Sequence, residues 1–242
     1  MRTPRLYTAC PLVPGGRIEL EAGPAHHAAT VLRLRAGESI RLFDGSGTEC
    51  AGRIARTTRQ SIIVDIECCL AVNRESPLRI TLAQGISRPE RMDYTLQKAV
   101  ELGVSAIIPL LTQRTAIKLD SGRAARRLDH WQKVIVAACE QCGRNQLPLL
   151  LPVASLADWL AEGGDGVKLL LRAGVKASLA DAPRASEVTL LIGPEGGLAE
   201  AEVAAAERSG YLPVALGPRI LRTETAALAA IALLQGIYGD LR

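Results

Sequence analysis

The sequence predicts an α/β protein in two parts: a small β-barrel over residues 1–72, then an α/β domain with a parallel sheet over residues 73–242. Three observations predict it. Short strand-like runs crowd the first part. After Pro77, apolar strands alternate with amphipathic helices, the signature of a parallel sheet covered by helices. Between them lies the polar run Asn73-Arg-Glu-Ser-Pro77, which marks the boundary. The chain has 242 residues, 48% apolar and 22% charged, which suits one or two packed domains and excludes a fully disordered chain.

In the first part, residues 17–20, 39–43, 48–55 and 61–67 read as strands. Asp44-Gly-Ser-Gly47 carries hairpin turn chemistry between two of them, and one short helix over 24–34 interrupts the series. The second part opens with a buried strand over 78–83. Ser87-Arg-Pro-Glu90 has the spacing of a capping box, with Pro in the first turn. The helix after it carries Met92, Leu96, Ala99 and Val100 on one face and stops at Gly103. A strand over 104–111 follows, then a helix with Trp131, Val134, Ile135 and Ala138 at helical spacing. Residues 147–153 read as a strand, and Ser155-Leu-Ala-Asp158 opens a short helix. Strands over 168–172, 188–192 and 213–216 and helices over 199–209 and 223–238 complete the alternation.

Net charge is only +4, which permits a polyanionic partner without demanding one. The basic residues are 24 Arg and 5 Lys. Arg suits bidentate phosphate contacts, but a GC-rich genome gives the same bias, so Arg position matters more than Arg count. The longest apolar run, residues 226–234, is nine long against the ~20 a membrane span needs. The first residues lack the apolar core of a signal peptide, so the expected location is cytoplasmic. With no secretory signal, the six cysteines are expected to be reduced and structural. Cys139 and Cys142 have redox spacing but fall near a helix C-terminus, where the dipole disfavours thiolate. Adjacent Cys68 and Cys69 chelate poorly, and His26, His27 and His130 form no metal-ligand spacing, so no metal is expected.

Ligands of open α/β sheets bind in loops beyond the carboxyl ends of strands. Two such loops stand out: Ile192-Gly-Pro-Glu-Gly-Gly197 and Leu216-Gly-Pro-Arg-Ile-Leu-Arg-Thr-Glu-Thr-Ala226. Gly lets a ligand approach backbone and Pro stiffens the loop. Either loop alone is also an ordinary Gly-Pro turn; together they suit two walls of one pocket. Neither has a phosphate-cradle pattern, so a nucleotide-like ligand without phosphates fits better than ATP or NAD.

At these loops the chain resembles the 16S rRNA uracil-N3 methyltransferases of the SPOUT, or trefoil-knot, superfamily. The resemblance spans essentially the whole chain and rests on six motifs in order. These are Arg5-Leu-Tyr7; His27 with Val31-Leu-Arg33 and Gly37; Lys98-Ala-Val-Glu-Leu-Gly-Val104; Glu140-Gln141 with Arg144 and Pro148; Ile192-Gly-Pro-Glu-Gly-Gly197; and Ile220-Leu-Arg-Thr-Glu-Thr-Ala226. Two departures are Leu198, where an aromatic is common after the double Gly, and Cys142, where a small polar residue is usual.

The resemblance implies a PUA-like N-terminal β-barrel and a C-terminal SPOUT α/β trefoil-knot domain. It implies a homodimer that binds S-adenosylmethionine in a bent form and methylates N3 of one uridine, position 1498 in the usual numbering, in 16S rRNA of the small ribosomal subunit. The expected cofactor residues are Leu171, Arg172 and Ala173, then Ile192, Gly193, Pro194, Glu195, Gly196 and Gly197, then Leu216, Gly217, Ile220, Leu221, Arg222, Thr225 and Ala226.

For the chemistry, Arg222 is expected to stabilise negative charge on uracil oxygens, while Glu195 and Glu224 are the candidate carboxylates for the N3 proton. Glu195 also suits a role in holding loop backbone. Arg5, Tyr7, His27, Arg33, Arg88, Arg91, Arg114 and Arg144 are the expected RNA contacts, though each Arg equally suits a solvated surface. The helix over 223–238 is apolar on many sides, which suits burial in a dimer or in its own domain. Two rival readings remain: a SPOUT enzyme acting on another RNA, such as tRNA, and an RNA-binding module without catalysis. The intact Gly193–Gly197 and Arg222–Ala226 runs argue against the second, and the Arg5, Tyr7, His27 and Arg33 set against the first.

Overall fold

The computed structural model describes residues 3–20, 34–58, 61–116, 121–163 and 166–241. It divides into two compact units, Met1–Glu75 with Cys139–Leu147, and Ser76–Ala138 with Pro148–Arg242.

The first unit is a five-stranded sheet in the order β1-β3-β4-β5-β2. Its strands are β1 (Arg5–Tyr7), β2 (Arg17–Leu20), β3 (Ser39–Phe43), β4 (Thr48–Thr57) and β5 (Ile62–Ala71). β1 runs parallel to β3, and the other pairs are antiparallel. Alternation places Ile40 and Leu42, Ile54, and Ile62 and Val64 on one face, where they pack with Leu6, Leu20 and Leu34. β1 was not expected as a strand, and β4 and β5 run longer than expected, at ten residues each. Of the expected helix over 24–34, residues 24–33 lie outside the described residues, as do His26, His27 and Arg33.

The expectation of six reduced cysteines is corrected. Cys50 and Cys69 face each other across β4 and β5 with Cα atoms 4.0 Å apart, and they form a disulfide. Cys10, Cys68, Cys139 and Cys142 are free thiols. Burial pushes the Cys139 thiol up to about 12, which makes it inert.

Segment 139–147 belongs to the first unit because Arg5 and Arg74 hold its backbone. Arg5 donates to the carbonyls of Cys139 (2.5 Å) and Arg144 (2.7 Å), and Arg74 to that of Gly143 (2.8 Å). Asn145 returns a bond to the Val72 carbonyl at 2.9 Å.

The second unit is a wholly parallel sheet in the order β12-β10-β11-β6-β7-β8, with β9 also paired to β7. The strands are β6 (Arg79–Gly85), β7 (Ala106–Leu111), β8 (Leu149–Leu150), β9 (Ala154–Ser155), β10 (Val167–Leu171), β11 (Glu187–Ile192) and β12 (Leu212–Val214). The helices are α1 (Pro89–Glu101), α2 (Ser121–Cys142), α3 (Leu156–Glu162), α4 (Glu200–Arg208) and α5 (Thr223–Tyr238). Central strands buried on both faces read as near-continuous apolar runs, as in Ile107, Ile108 and Leu110 or Leu190, Leu191 and Ile192. α1 buries Met92, Thr95, Leu96, Ala99 and Val100, one helical stripe. The expected strand over 147–153 shrinks to two residues at β8, because Pro148 and Pro152 flank it and Pro cannot donate to a ladder.

The Ser87 capping box does not form. α1 starts at Pro89 with Arg88 as N-cap and no side-chain cap from its own segment. The Arg88 N–H is satisfied from a distant loop instead, as described below.

Candidate active site

Three adjacent strands, β12, β10 and β11, end at one edge of the second unit. The segments that follow them enclose a cavity of about 630 Å³. Residues 170–173 end and follow β10, residues 192–198 end and follow β11, and residues 216–223 follow β12. Every expected cofactor residue lines this cavity except Thr225, which is exposed on the first turn of α5.

Glycine makes the close packing of these walls possible. A Cβ at Gly193 would lie 2.9 Å from the Gly197 carbonyl carbon and the Leu198 nitrogen. One at Gly85, at the end of β6, would lie 2.5 Å from the Pro194 nitrogen. Only hydrogen fits at either place. Gly197 donates its N–H to Pro194 at 2.8 Å, which closes the turn.

Side chains then pin the loop. Thr223 donates to the Gly193 carbonyl at 2.7 Å, and Gln84 donates to Thr223 Oγ1 at 3.0 Å. Arg114 donates to the Gly196 carbonyl at 2.9 Å. Glu195 accepts the Arg88 N–H at 2.9 Å, an anion at a helix N-terminus where the dipole favours it. Arg91 lies between the two candidate carboxylates: its Nη1 is 3.6 Å from Glu195 Oε1 and its Nε is 3.9 Å from Glu224 Oε1. The other oxygen of Glu224 is buried without a partner among the described residues. Glu224 sits beside cavity-lining Thr223 without lining the cavity itself. Arg222, the N-cap of α5, is exposed and lines the cavity rim.

The expected RNA contacts separate. Arg88, Arg91 and Arg114 belong to the cavity and its supports. Arg5 and Arg144 turn inward, with side chains only 8% and 7% exposed. Arg5 engages Glu49, Asn145 and two carbonyls, and lies 3.9 Å over the Phe43 ring; Arg144 pairs with Glu75. Tyr7 stacks obliquely on Phe43 and donates its N–H to Glu140. These three residues build the first unit. Sequence reasoning missed Gln84, Thr223 and Gly85 as supports. One signal was available for Gln84: a polar residue directly after the apolar pair Leu82-Ala83 near the end of a strand.

An RNA methyltransferase domain model matches residues 74–235, and an RNA methyltransferase PUA domain model matches residues 24–67. The ribosomal RNA small subunit methyltransferase E of Buchnera aphidicola from Schizaphis graminum is 33% identical, covering 99% of this chain and 98% of that one. The Bacillus subtilis protein of the same name is 32% identical over 86% of this chain and 85% of its own. Among solved structures, a Legionella pneumophila methyltransferase in complex with S-adenosylmethionine superposes with a TM-score of 0.97 at 42% identity, over the full length of both chains. The Neisseria gonorrhoeae ribosomal RNA small subunit methyltransferase E, bound to S-adenosylmethionine, gives 0.93 at 40%, again over both full lengths.

The fold and cavity therefore define an α/β protein of the SPOUT trefoil-knot methyltransferase class with a PUA-like N-terminal unit. Among the described residues that unit is an open, five-stranded sheet, whose edges are β1 and β2. Within that class, the chain belongs to the ribosomal RNA small subunit methyltransferase E family.

Proposed function

We propose that this protein transfers the methyl group of S-adenosylmethionine to N3 of a specific uridine in the 16S RNA of the small ribosomal subunit. The observation that carries the reading is the cavity at the ends of β10, β11 and β12, with glycine-tight walls and Arg222 at its rim. Its apolar floor of Leu170, Ile192 and Val203 suits a nucleoside and thioether, and its walls lack a phosphate cradle. The residues present thus fit S-adenosylmethionine, held by the loops at 171–173, 192–197 and 216–226.

When bound, that group supplies an electrophilic methyl on a sulfonium. N3 must shed its proton for its electron pair to attack that carbon as the carbon–sulfur bond breaks. Glu195 is engaged at the α1 N-terminus and acts as a positioning residue for its loop. Glu224, next to cavity-lining Thr223 and with one buried oxygen unpartnered among the described residues, is the proposed proton acceptor, which requires its carboxylate to turn toward the cavity when substrate binds. Arg222 is placed to stabilise charge that develops on the uracil oxygens. The base must reach the site outside any stack, so single-stranded or looped RNA is the expected form.

The protein is proposed to act as a homodimer in the cytoplasm, where its RNA is found. α5 buries Ala226, Ala227, Ala230, Ile231 and Leu234 in its own unit but leaves Leu233 and Ile237 36% exposed, an apolar strip for a second copy.

The test is methylation of purified small-subunit RNA and of tRNA with labelled S-adenosylmethionine, followed by nucleoside mass spectrometry. The expected product is N3-methyluridine from small-subunit RNA alone. Label on tRNA, or at another atom of the nucleoside, overturns the reading.

A further inference from the structure

A second cavity, of about 240 Å³, lies in the first unit and is lined by Thr3, Arg5, Arg41, Glu49, Arg74, Cys142 and Gly143. Three guanidinium groups converge there on one carboxylate. Glu49, with a side chain only 5% exposed, accepts from Arg5 Nε at 3.0 Å, from Arg41 Nη1, and from Arg74 Nη1 at 3.3 Å. The local charge is therefore three positive against one negative.

The sheet register enforces this crowding. Arg5 and Arg41 are Cα partners in the parallel β1–β3 pair, so both side chains leave the same face. Like charges placed opposite each other are destabilising unless an anion sits between them. Glu49 neutralises one of the three. Arg5 is fully engaged by protein groups, as described above, and a structural role accounts for it.

The same account does not cover Arg41 and Arg74. Their side chains are 51% and 39% exposed. Each offers only Nη1 to a protein acceptor, Arg41 to Glu49 and Arg74 to Glu49 and the Gly143 carbonyl. The remaining Nε and Nη2 donors of both have no acceptor among the described residues. Glu49 thus fixes two arginines at one cavity mouth with two unused donor pairs. Guanidinium forks fixed in this way match the oxygens of a phosphate.

We propose that Arg41 and Arg74, with Thr3, hold a phosphodiester of the RNA chain at this cavity. The proposal rests on the reading of the protein as an RNA methyltransferase and adds a phosphate contact in its N-terminal unit. Glu49 is a positioning residue in it, because it orients both forks without touching the RNA.

The test compares wild type with the Arg41→Gln, Arg74→Gln double variant. Both positions are partly exposed and the Arg5–Glu49 pair is left intact, so the fold is retained; an unchanged circular dichroism spectrum and urea midpoint check this. Binding to small-subunit RNA is measured as a function of salt. The variant is expected to bind at least ten-fold more weakly at moderate salt, with a log–log salt slope smaller by about 1, one phosphate contact. Arg41→Lys, Arg74→Lys keeps the charge but loses the forks, and is expected to recover only part of the affinity.

Equal affinity and slope in wild type and the Gln variant overturn the phosphate site while leaving the enzyme assignment standing. Failure of wild type itself to bind or methylate RNA overturns both. Inorganic phosphate is the other source of this chemistry. Saturable phosphate binding that the Gln variant loses, with RNA affinity unchanged, also overturns the assignment to RNA.

Discussion

Glu195 accepts the backbone N–H of Arg88 at 2.9 Å, across 107 residues of chain, and fastens the loop after β11 to the first turn of α1. One carboxylate thus caps a helix and sets the position of a cavity wall. Its neighbour Glu224 has no such commitment at one of its oxygens among the described residues.

The two carboxylates should therefore fail differently. Glu195→Ala removes a cap contact of about 1 kcal/mol, so S-adenosylmethionine affinity should fall roughly five- to ten-fold. Glu224→Gln should leave that affinity unchanged and lower single-turnover methylation by about 10²- to 10⁴-fold, the range for a general base. Calorimetry and rapid-quench kinetics on both variants separate the roles. Full activity in Glu224→Gln would remove it as proton acceptor.

The cavity walls give an ordering of glycine variants. A Cβ at Gly193 meets backbone at 2.9 Å, a forbidden contact, whereas one at Gly196 meets the Arg114 Cβ at 3.1 Å, a tight contact that a shift of a few tenths of an ångström relieves. Gly193→Ala should lose at least ten-fold in cofactor affinity, and Gly196→Ala distinctly less. Circular dichroism confirms that both are folded. The reverse ordering would mean that the turn is not held as described.

Both loops were legible in the sequence because their signal is local: an apolar strand, then Gly-Pro, then a helix. Most strands were legible for the same reason. Partners at long range were not. The Ser87-x-x-Glu90 spacing pointed to a local cap, yet the acceptor is Glu195, which no window around α1 contains. The Cys50–Cys69 pairing depends on the β4–β5 register, which shifts between Ala51 and Gly52. Arg5 carried a motif but no direction. Its inward turn follows from Glu49 and Asn145, at separations of 44 and 140 residues.

Acid should weaken the first unit through Glu49. Burial pushes its carboxyl up, but hydrogen bonds from Arg5 and Arg41 and the charge of Arg74 outweigh this and hold it below its ordinary 4.5. A depressed folded value stabilises the fold above pH 4.5, and that contribution is lost as pH falls further, through the folded value. Glu49→Gln leaves buried positive charge uncompensated and should cost on the order of 3 kcal/mol at neutral pH. In urea titrations the gap from wild type should narrow steadily below pH 4.5. A constant gap would show that ionisation of Glu49 is not the source.

The exposed strip on α5 gives an assembly test. Wild type should scatter light as a particle of about twice the 25.7 kDa chain mass at micromolar concentration. Leu233→Arg with Ile237→Arg places two charges on that strip and should give single chains, because unpaired charge is excluded from an apolar contact. A wild-type particle of one chain mass would remove the dimer, and a dimeric double variant would move the interface off α5.

Arg222 tests whether the rim of the cavity binds or catalyses. It caps α5 through backbone geometry alone, with no side-chain cap bond, and no carboxylate among the described residues is paired with it. Truncating it should therefore cost the fold little. If its charge acts on the uracil oxygens only as the N3 proton leaves, the benefit appears in the transition state and not in the bound ground state. Arg222→Ala should then lower the single-turnover rate by about 10²- to 10³-fold, the usual cost of removing one charge-stabilising donor. RNA affinity should stay within about three-fold of wild type, because a charge that acts only as the N3 proton leaves adds nothing to ground-state binding. Arg222→Lys keeps the charge without the planar fork and should recover part of the rate. Filter binding and rapid-quench methylation on small-subunit RNA measure both quantities. Equal losses of affinity and rate in Arg222→Ala would make Arg222 a binding residue, and charge stabilisation would then have to come from another group at the cavity.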